Sequence, residues 1–239
     1  MKRLLASTLL LGLLAGSTVT YAQGPSLTAK EKKAGWKLLF DGKTTAGWRG
    51  YLKQDVPGAW KVQDGALYLD TDAKKGGASG GDLITEGEYE NYELELQWKI
   101  GEGGNSGIIF GVHEDPKFKA TYATGPEMQV LDDAKHPDGK IKKHNSGDLY
   151  DLIAASANYS KPVGEWNTAK IIKKDGKLTL IFNGHKTAET TMGTAEWASL
   201  VGSSKFKTWE GFGKYPKGHI ALQDHGDKVW YRNIKIREL

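Results

Sequence analysis

The sequence predicts an all-β fold, a two-sheet antiparallel sandwich of the jelly-roll kind, and three observations carry that prediction. Residues 92–100 (YELELQWKI) alternate strictly, with Tyr92, Leu94, Leu96, Trp98 and Ile100 on one face and charged or amide residues on the other. A helix would scatter those apolar residues round its cylinder, whereas a strand gathers them on one side. Asp175-Gly176 and Asn183-Gly184 follow one another closely between β-rich runs, and such dipeptides favour the tight turns of hairpins. The 31 glycines in 239 residues add many further turn positions.

The elements follow in order. A first strand is expected at Trp36–Phe40, ahead of the Asp41-Gly42 turn. Residues 60–62 turn through Gln63-Asp64-Gly65 into 66–69 as a hairpin. The Gly-, Lys- and Ser-rich stretch 71–81 reads as an exposed loop. Ser106–Val112 is more continuously apolar than 92–100, which predicts a central strand, paired with 92–100 through the Gly-rich link 101–105. Glu127–Leu131 is a strand joining two long loops, and 168–173 with 178–182 forms another hairpin. The one helix expected lies within 194–206, and strands at 219–224 and 229–236 close the domain.

The N-terminus has a different character. Lys2 and Arg3 precede an apolar run from Leu4 to Leu14, and small and polar residues end at Tyr21-Ala22. This is the pattern of a secretory signal peptide over residues 1–22, followed by a short lead-in over 23–34 and a single domain over 35–239. The apolar run is shorter than the roughly 20 residues that span a bilayer. Export to the periplasm or the extracellular space is therefore expected, with no membrane span.

Composition removes several functions. The chain has no cysteine, hence no disulfide, thiolate metal site or cysteine nucleophile. Losing Lys2 and Arg3 with the leader takes the formal charge from +4 to +2, which leaves no basic balance for nucleic acid. HExxH, Walker and GxSxG patterns are absent, and the glycines of 76–81 lack the strand-to-helix setting of a phosphate loop. Nothing in the sequence sets an oligomeric state.

The candidate site residues are polar groups in loops and on strand faces. Glu127, Gln129 and Leu131 share one face of their strand, while Met128 and Val130 face the core. Of the six histidines, His136 and His185 sit in solvated turns and His113 at a loop entrance. His144 lies where a loop re-enters the sheet, and Gln223 and His225 fall on alternating positions after His219 and Ala221. Each of these either lines a site or faces water. Among the aromatics, Trp98 and Trp230 are expected in the core; Trp48, Tyr150 and Trp209 are candidate platforms for a sugar ring.

Several blocks, taken in order, resemble a known family. They are LFDGKTTAGW at 39–48, the long stretch ITEGEYENYELELQWKIGEGGNSGIIFGV at 84–112, and GPEMQVLDD at 125–133. GDLYDLIA at 147–154, GEWNTAKI at 164–171 and GHIALQDHGDKVWYRNIKI at 218–236 complete the set. Together they are similar to the 3-keto-disaccharide hydrolase domain over about residues 35–239. The resemblance implies a concanavalin-like jelly roll. It also implies cleavage of glycosides whose glucose unit carries a ketone at C3, by hydrolysis or elimination, with an oxidised glucoside or disaccharide as partner.

The residues suit such a substrate. An ordinary glycosidase needs two carboxyls flanking the bond, yet along EMQVLDD only Glu127 is an acid on its face. Asp151 is the candidate for a second acid from elsewhere. A ketone acidifies the C2 proton, so one base, donors for an enolate oxygen and an acid for the leaving oxygen suffice. On this reading His144 is base or acid, Glu127 orients or charges it, and His225 is the opposite partner. Gln129, Asn105, Tyr150, Lys170, Asn183, Gln223 and Trp48 are expected to hold the sugar. No cofactor is certain, and a divalent ion held by Glu127 and a histidine is the alternative stabiliser of the enolate. Two other functions stay open on the residues: a non-catalytic carbohydrate-binding module, and a conventional glucanase of the laminarinase type.

Overall fold

A computed structural model describes residues 24–239. The expected signal peptide lies outside the described residues. The lead-in forms a short helix, α1 (Ala29–Lys33), because Thr28 and Glu31 make a reciprocal capping box. Lys235 then ties Glu31 to the body of the domain at 2.6 Å.

The strands are β1 (Lys37–Leu38), β2 (Trp48–Gly50), β3 (Trp60–Gln63), β4 (Ala66–Leu69), β5 (Leu83–Thr85), β6 (Tyr92–Ile100) and β7 (Asn105–Val112). After them come β8 (Glu127–Leu131), β9 (Asn167–Lys174), β10 (Lys177–Phe182), β11 (His185–Thr191), β12 (His219–Leu222) and β13 (Val229–Glu238). They build two antiparallel sheets. The larger runs β11-β10-β9-β6-β13-β4-β3, with β1 on β13, and the smaller runs β2-β5-β12-β7-β8. This is the two-sheet sandwich the periodicities predict. Its core lies between the sheets, where the Trp98 and Phe182 rings stack at 5.6 Å.

Three expectations change. β6 and β7 are neighbours in sequence but not in a sheet: β6 sits between β9 and β13, and β7 between β12 and β8. The link through Gly103, with φ of 64°, carries the chain across the sandwich instead of folding it into a hairpin. Burial explains the separation. β6 alternates buried and half-buried residues, as a strand with one solvated face must, whereas every residue of β7 is buried.

Segment 71–81 is not wholly loop. Thr71–Lys75 forms α2, capped by the Asp70 carboxylate, and Lys74 of that helix pairs with Asp224 at 2.7 Å. The expected helix within 194–206 is α3 (Ala195–Gly202), followed by a 3-10 turn at Lys205–Thr208. Trp98 is a core residue, as expected. Trp230 is not: it lies half-buried on the outer face of the larger sheet, stacked on Tyr68 at 4.8 Å.

Candidate active site

The smaller sheet turns one face to the core and lays the other under a cap of loops. Registers place Gly107 opposite Gln129 and Ile109 opposite both Glu127 and Ala221. Gln223 continues β12 and donates its backbone N–H to Gly107, and Ala221 pairs with Ile84 of β5, two residues after Asp82. Alternation then puts Asp82, Gln223, Gly107 and Gln129 in one row on the outer face, with Glu127 and Asn105 on either side of it. At the centre of that row Gly107 has no side chain. A Cβ built there would collide with Glu127 Oε1, so the carboxyl lies directly over the glycine.

Above the row is a cavity of about 490 Å³. Asp82, Asn105, Glu127, Gln129, Gln223 and Asp224 form its polar floor. Tyr122, Tyr150, Lys205, Phe206, Trp209 and His225 form its walls and rim. Such a mixture of one apolar wall and convergent polar groups is typical of a small-molecule site.

Glu127 is the exceptional group. It is only 7% exposed, and among the described residues its carboxyl makes no hydrogen bond to protein. Burial pushes its pKa up to about 8; the Lys205 ammonium pulls the other way, and Asp82 and Asp138 reinforce the rise. The two further acids in the cavity are occupied. Asp82 accepts from the Thr121 hydroxyl and the Asp224 backbone, and Asp224 accepts from Lys74 and from the backbone of Gly81 and Gly226. Burial raises the Asp82 pKa too. Gln223 is 8% exposed, and its buried Oε1 has no partner among the described residues, which leaves an acceptor for a hydroxyl. Gln129 is held by donating to Asn105 Oδ1 at 3.2 Å.

A closed ring of contacts fixes the wall beside Glu127. Lys205 Nζ donates to the Tyr150 hydroxyl at 3.0 Å, and that hydroxyl donates to Asp138 Oδ2 at 3.4 Å. Asp138 stands 3.5 Å from His144 Nδ1, and His144 Nε2 lies 3.2 Å from Asp151 Oδ1. Asp151 Oδ2 then accepts from the backbone N–H of Lys205 at 2.7 Å, closing the ring. Asp151 holds a left-handed backbone conformation, φ 59°, to serve both partners.

The sequence candidates thus divide. Glu127, Gln129, Asn105, Tyr150, Gln223 and His225 meet at the cavity, as does the platform candidate Trp209. His144 and Asp151 stand behind Tyr150 and Lys205 and do not line it; the His144 ring packs on Tyr150 at 4.3 Å. Three others are elsewhere. Lys170 pairs with Glu95 on the larger sheet at 3.0 Å. Asn183 occupies the β10–β11 turn, where its amide bonds Tyr159 and Asn167. Trp48 is a core residue whose indole donates to Leu39. Asp82, Asp224, Lys205, Tyr122 and Phe206 escaped the sequence reading. Among the described residues no group of three or more His, Asp or Glu side chains is arranged to hold a metal ion.

Comparison with known proteins agrees with this architecture. The profile of the 3-keto-alpha-glucoside-1,2-lyase-like domain matches residues 35–237. A 3-keto-disaccharide hydrolase of Bacteroides thetaiotaomicron is 38% identical over 243 residues, covering 91% of this chain and 83% of its own. A crystal structure from Parabacteroides distasonis, described only provisionally as a glycosyl hydrolase, superposes with a TM-score of 0.80. It is 34% identical and the match covers 90% of this chain and 99% of that one. A galectin-like protein of Bacillus subtilis shares the fold at 15% identity, with a TM-score of 0.50 and coverage of 90% and 94%. With its profile match spanning nearly the whole domain and a relative at this identity, the chain belongs to the 3-keto-alpha-glucoside-1,2-lyase-like domain family.

Proposed function

We propose that this protein cleaves glycosides whose glucose unit has been oxidised to a ketone at C3, and that Glu127 is the base that starts the reaction. The observation that carries the proposal is the Glu127 carboxyl itself: buried, free of hydrogen bonds to the described residues, facing the cavity, with a pKa raised to about 8. Once ionised, such a carboxylate is a far stronger base than an ordinary one. The hydrolase name of the Bacteroides relative supports the substrate class.

The chemistry then runs in balanced steps. Glu127 takes the C2 proton, and the electrons of that bond form the enolate between C2 and C3. The Lys205 ammonium, held against Tyr150, is the positive group that stabilises the enolate oxygen. The enolate collapses back to the ketone, a C1–C2 double bond forms and the C1–O bond breaks. The departing oxygen takes a proton from His225 at the rim. Water adding at C1, with return of the proton to C2, makes the net reaction hydrolysis; omission of that step makes it elimination. Gln223 Oε1, Gln129 and Asn105 hold the sugar hydroxyls. His144 and Asp151, assigned to catalysis on sequence grounds, become positioning residues for Tyr150 and Lys205. A divalent ion with Glu127 as one ligand is the alternative enolate stabiliser, which the chelator arm of the test reads; among the described residues it would lack a cluster of three His, Asp or Glu ligands.

Export is part of the proposal, supported by the leader-like residues Lys2 to Ala22. Among the described residues no helix is long and apolar enough to cross a membrane.

The test is turnover of a 3-keto disaccharide beside its unoxidised parent, each with and without chelator. Sugar release from the oxidised compound alone is expected, with loss of about 10²–10⁴-fold in Glu127→Gln. Oxygen-18 water separates the two outcomes by labelling C1 only on hydration. Equal cleavage of the unoxidised sugar would return the two-carboxylate glucanase, and binding without product would return the binding module.

A further inference from the structure

The cavity has a polar floor and a separate aromatic wall, and the wall is built more rigidly than simple closure requires. Tyr122 is 42% exposed, unusual for a large aromatic residue beside a cavity. Trp209 lies next to it, ring centroids 5.9 Å apart and tilted by 42°. Behind Trp209 stands a buried aromatic column. Phe206 meets it edge-on at 5.0 Å, Phe206 stacks on Phe212 at 3.9 Å, and Phe212 stacks on Trp197 at 6.3 Å. Phe206, Phe212 and Trp197 are each at most 5% exposed. Trp209, itself half-buried, therefore cannot turn away from the cavity without disturbing the core, and Tyr122 lies against it.

We propose that Tyr122 and Trp209 form the leaving-group subsite, an aromatic shelf for a ring with a flat apolar face, whether pyranose or aryl. This rests on the function proposed above and specifies its second half. A ring inserted between two aromatic faces needs about 7 Å between them, two van der Waals contacts deep. At 5.9 Å and 42° the pair is too close and too tilted to be entered, so the guest lies across both rings. The division of the cavity fixes which part of the substrate goes where. The keto sugar carries hydroxyls and needs the amide and carboxyl floor, whose Gln223 Oε1 has no partner among the described residues. The shelf recognises a surface, not a hydroxyl pattern, so it accepts different rings and rejects a leaving group too small to cover it.

The experiment measures a preference. Three 3-keto glucosides are compared, with a 4-nitrophenyl, a glucosyl and a methyl leaving group, in wild type, Tyr122→Ala and Trp209→Leu. The shelf predicts that the ratio of kcat/KM for either ring substrate to that for the methyl glucoside falls about tenfold in each variant, mainly through KM. Loss confined to the nitrophenyl or to the glucosyl arm identifies which ring the shelf was built for. An unchanged ratio in Tyr122→Ala overturns the proposal; that residue is exposed enough for its truncation to leave the fold intact. If wild type cleaves none of the three, the catalytic reading fails separately. The shelf is then judged by calorimetry, with tighter binding of the ring glucosides than of the methyl glucoside expected, and equal binding overturning it.

Discussion

Replacing Glu127 by glutamine keeps the shape of the side chain and removes the charge that burial resists. In the fold this carboxyl ionises at about 8 instead of 4.5. Between those values the folded protein holds a proton that the unfolded chain has released. The stability linked to the group is therefore complete below about pH 4.5, falls as pH rises, and stops falling above about 8, when the folded carboxyl has also ionised. The full span corresponds to about 5 kcal/mol, comparable with the whole stability of a small domain.

Glutamine cannot ionise, so the variant lacks this fall. Asp82 also has a raised pKa, but it is present in both proteins and largely cancels in the difference. Urea unfolding followed by tryptophan fluorescence at pH 5, 7 and 9 reads the result. The variant should lie within about 1 kcal/mol of wild type at pH 5 and exceed it by about 5 kcal/mol at pH 9, while losing turnover. With removal of the C2 proton limiting the rate, wild-type kcat/KM should rise about tenfold per pH unit up to about pH 8, as the base form accumulates. Parallel stability curves, or an activity limb near pH 4.5, would refute the assignment of Glu127 as a buried base.

Two further substitutions probe the same site from beneath and from behind. Gly107→Ala places a methyl group where the Glu127 carboxyl lies; kcat/KM should fall about 100-fold with an unchanged circular dichroism spectrum, since a misplacement of about 1 Å costs that much. His144→Ala removes the ring between Asp138 and Asp151 and should lower kcat by about tenfold. His144→Gln, which keeps a donor toward Asp151, should recover part of that loss. A deficit in His144→Ala as deep as in Glu127→Gln would instead make the histidine a group that touches substrate.

How far the sequence could be read depended on whether a feature was local. The alternation of 92–100 and the Asp-Gly and Asn-Gly turns sit within a few residues, and β6, β9, β10 and β11 appear where they indicate. Glu127 and Gln129 were legible as a pair because strand alternation alone puts them on one face. What faces them was not. Lys170 carries a charge on a strand, like many binding residues, but its strand belongs to the larger sheet, where it satisfies Glu95. Trp48 looked like a platform and is a core ring. Nothing within a few residues of either position distinguishes the two situations.

The floor of the cavity shows why this limit is physical. Its central row takes Asp82, Gln223, Gly107 and Gln129 in that spatial order, which follows the strand order β5-β12-β7-β8 and not the chain. Each pairing joins residues far apart in sequence, so no local pattern contains the row. Gly107 is the sharpest case. In sequence it is one glycine among 31, inside a strand where glycine only weakens pairing. In the fold it is the gap that lets a carboxyl lie flat against the sheet, out of reach of donors among the described residues. That seclusion raises the pKa of Glu127, so the basicity on which the proposed reaction depends is set by a residue that contributes no side chain.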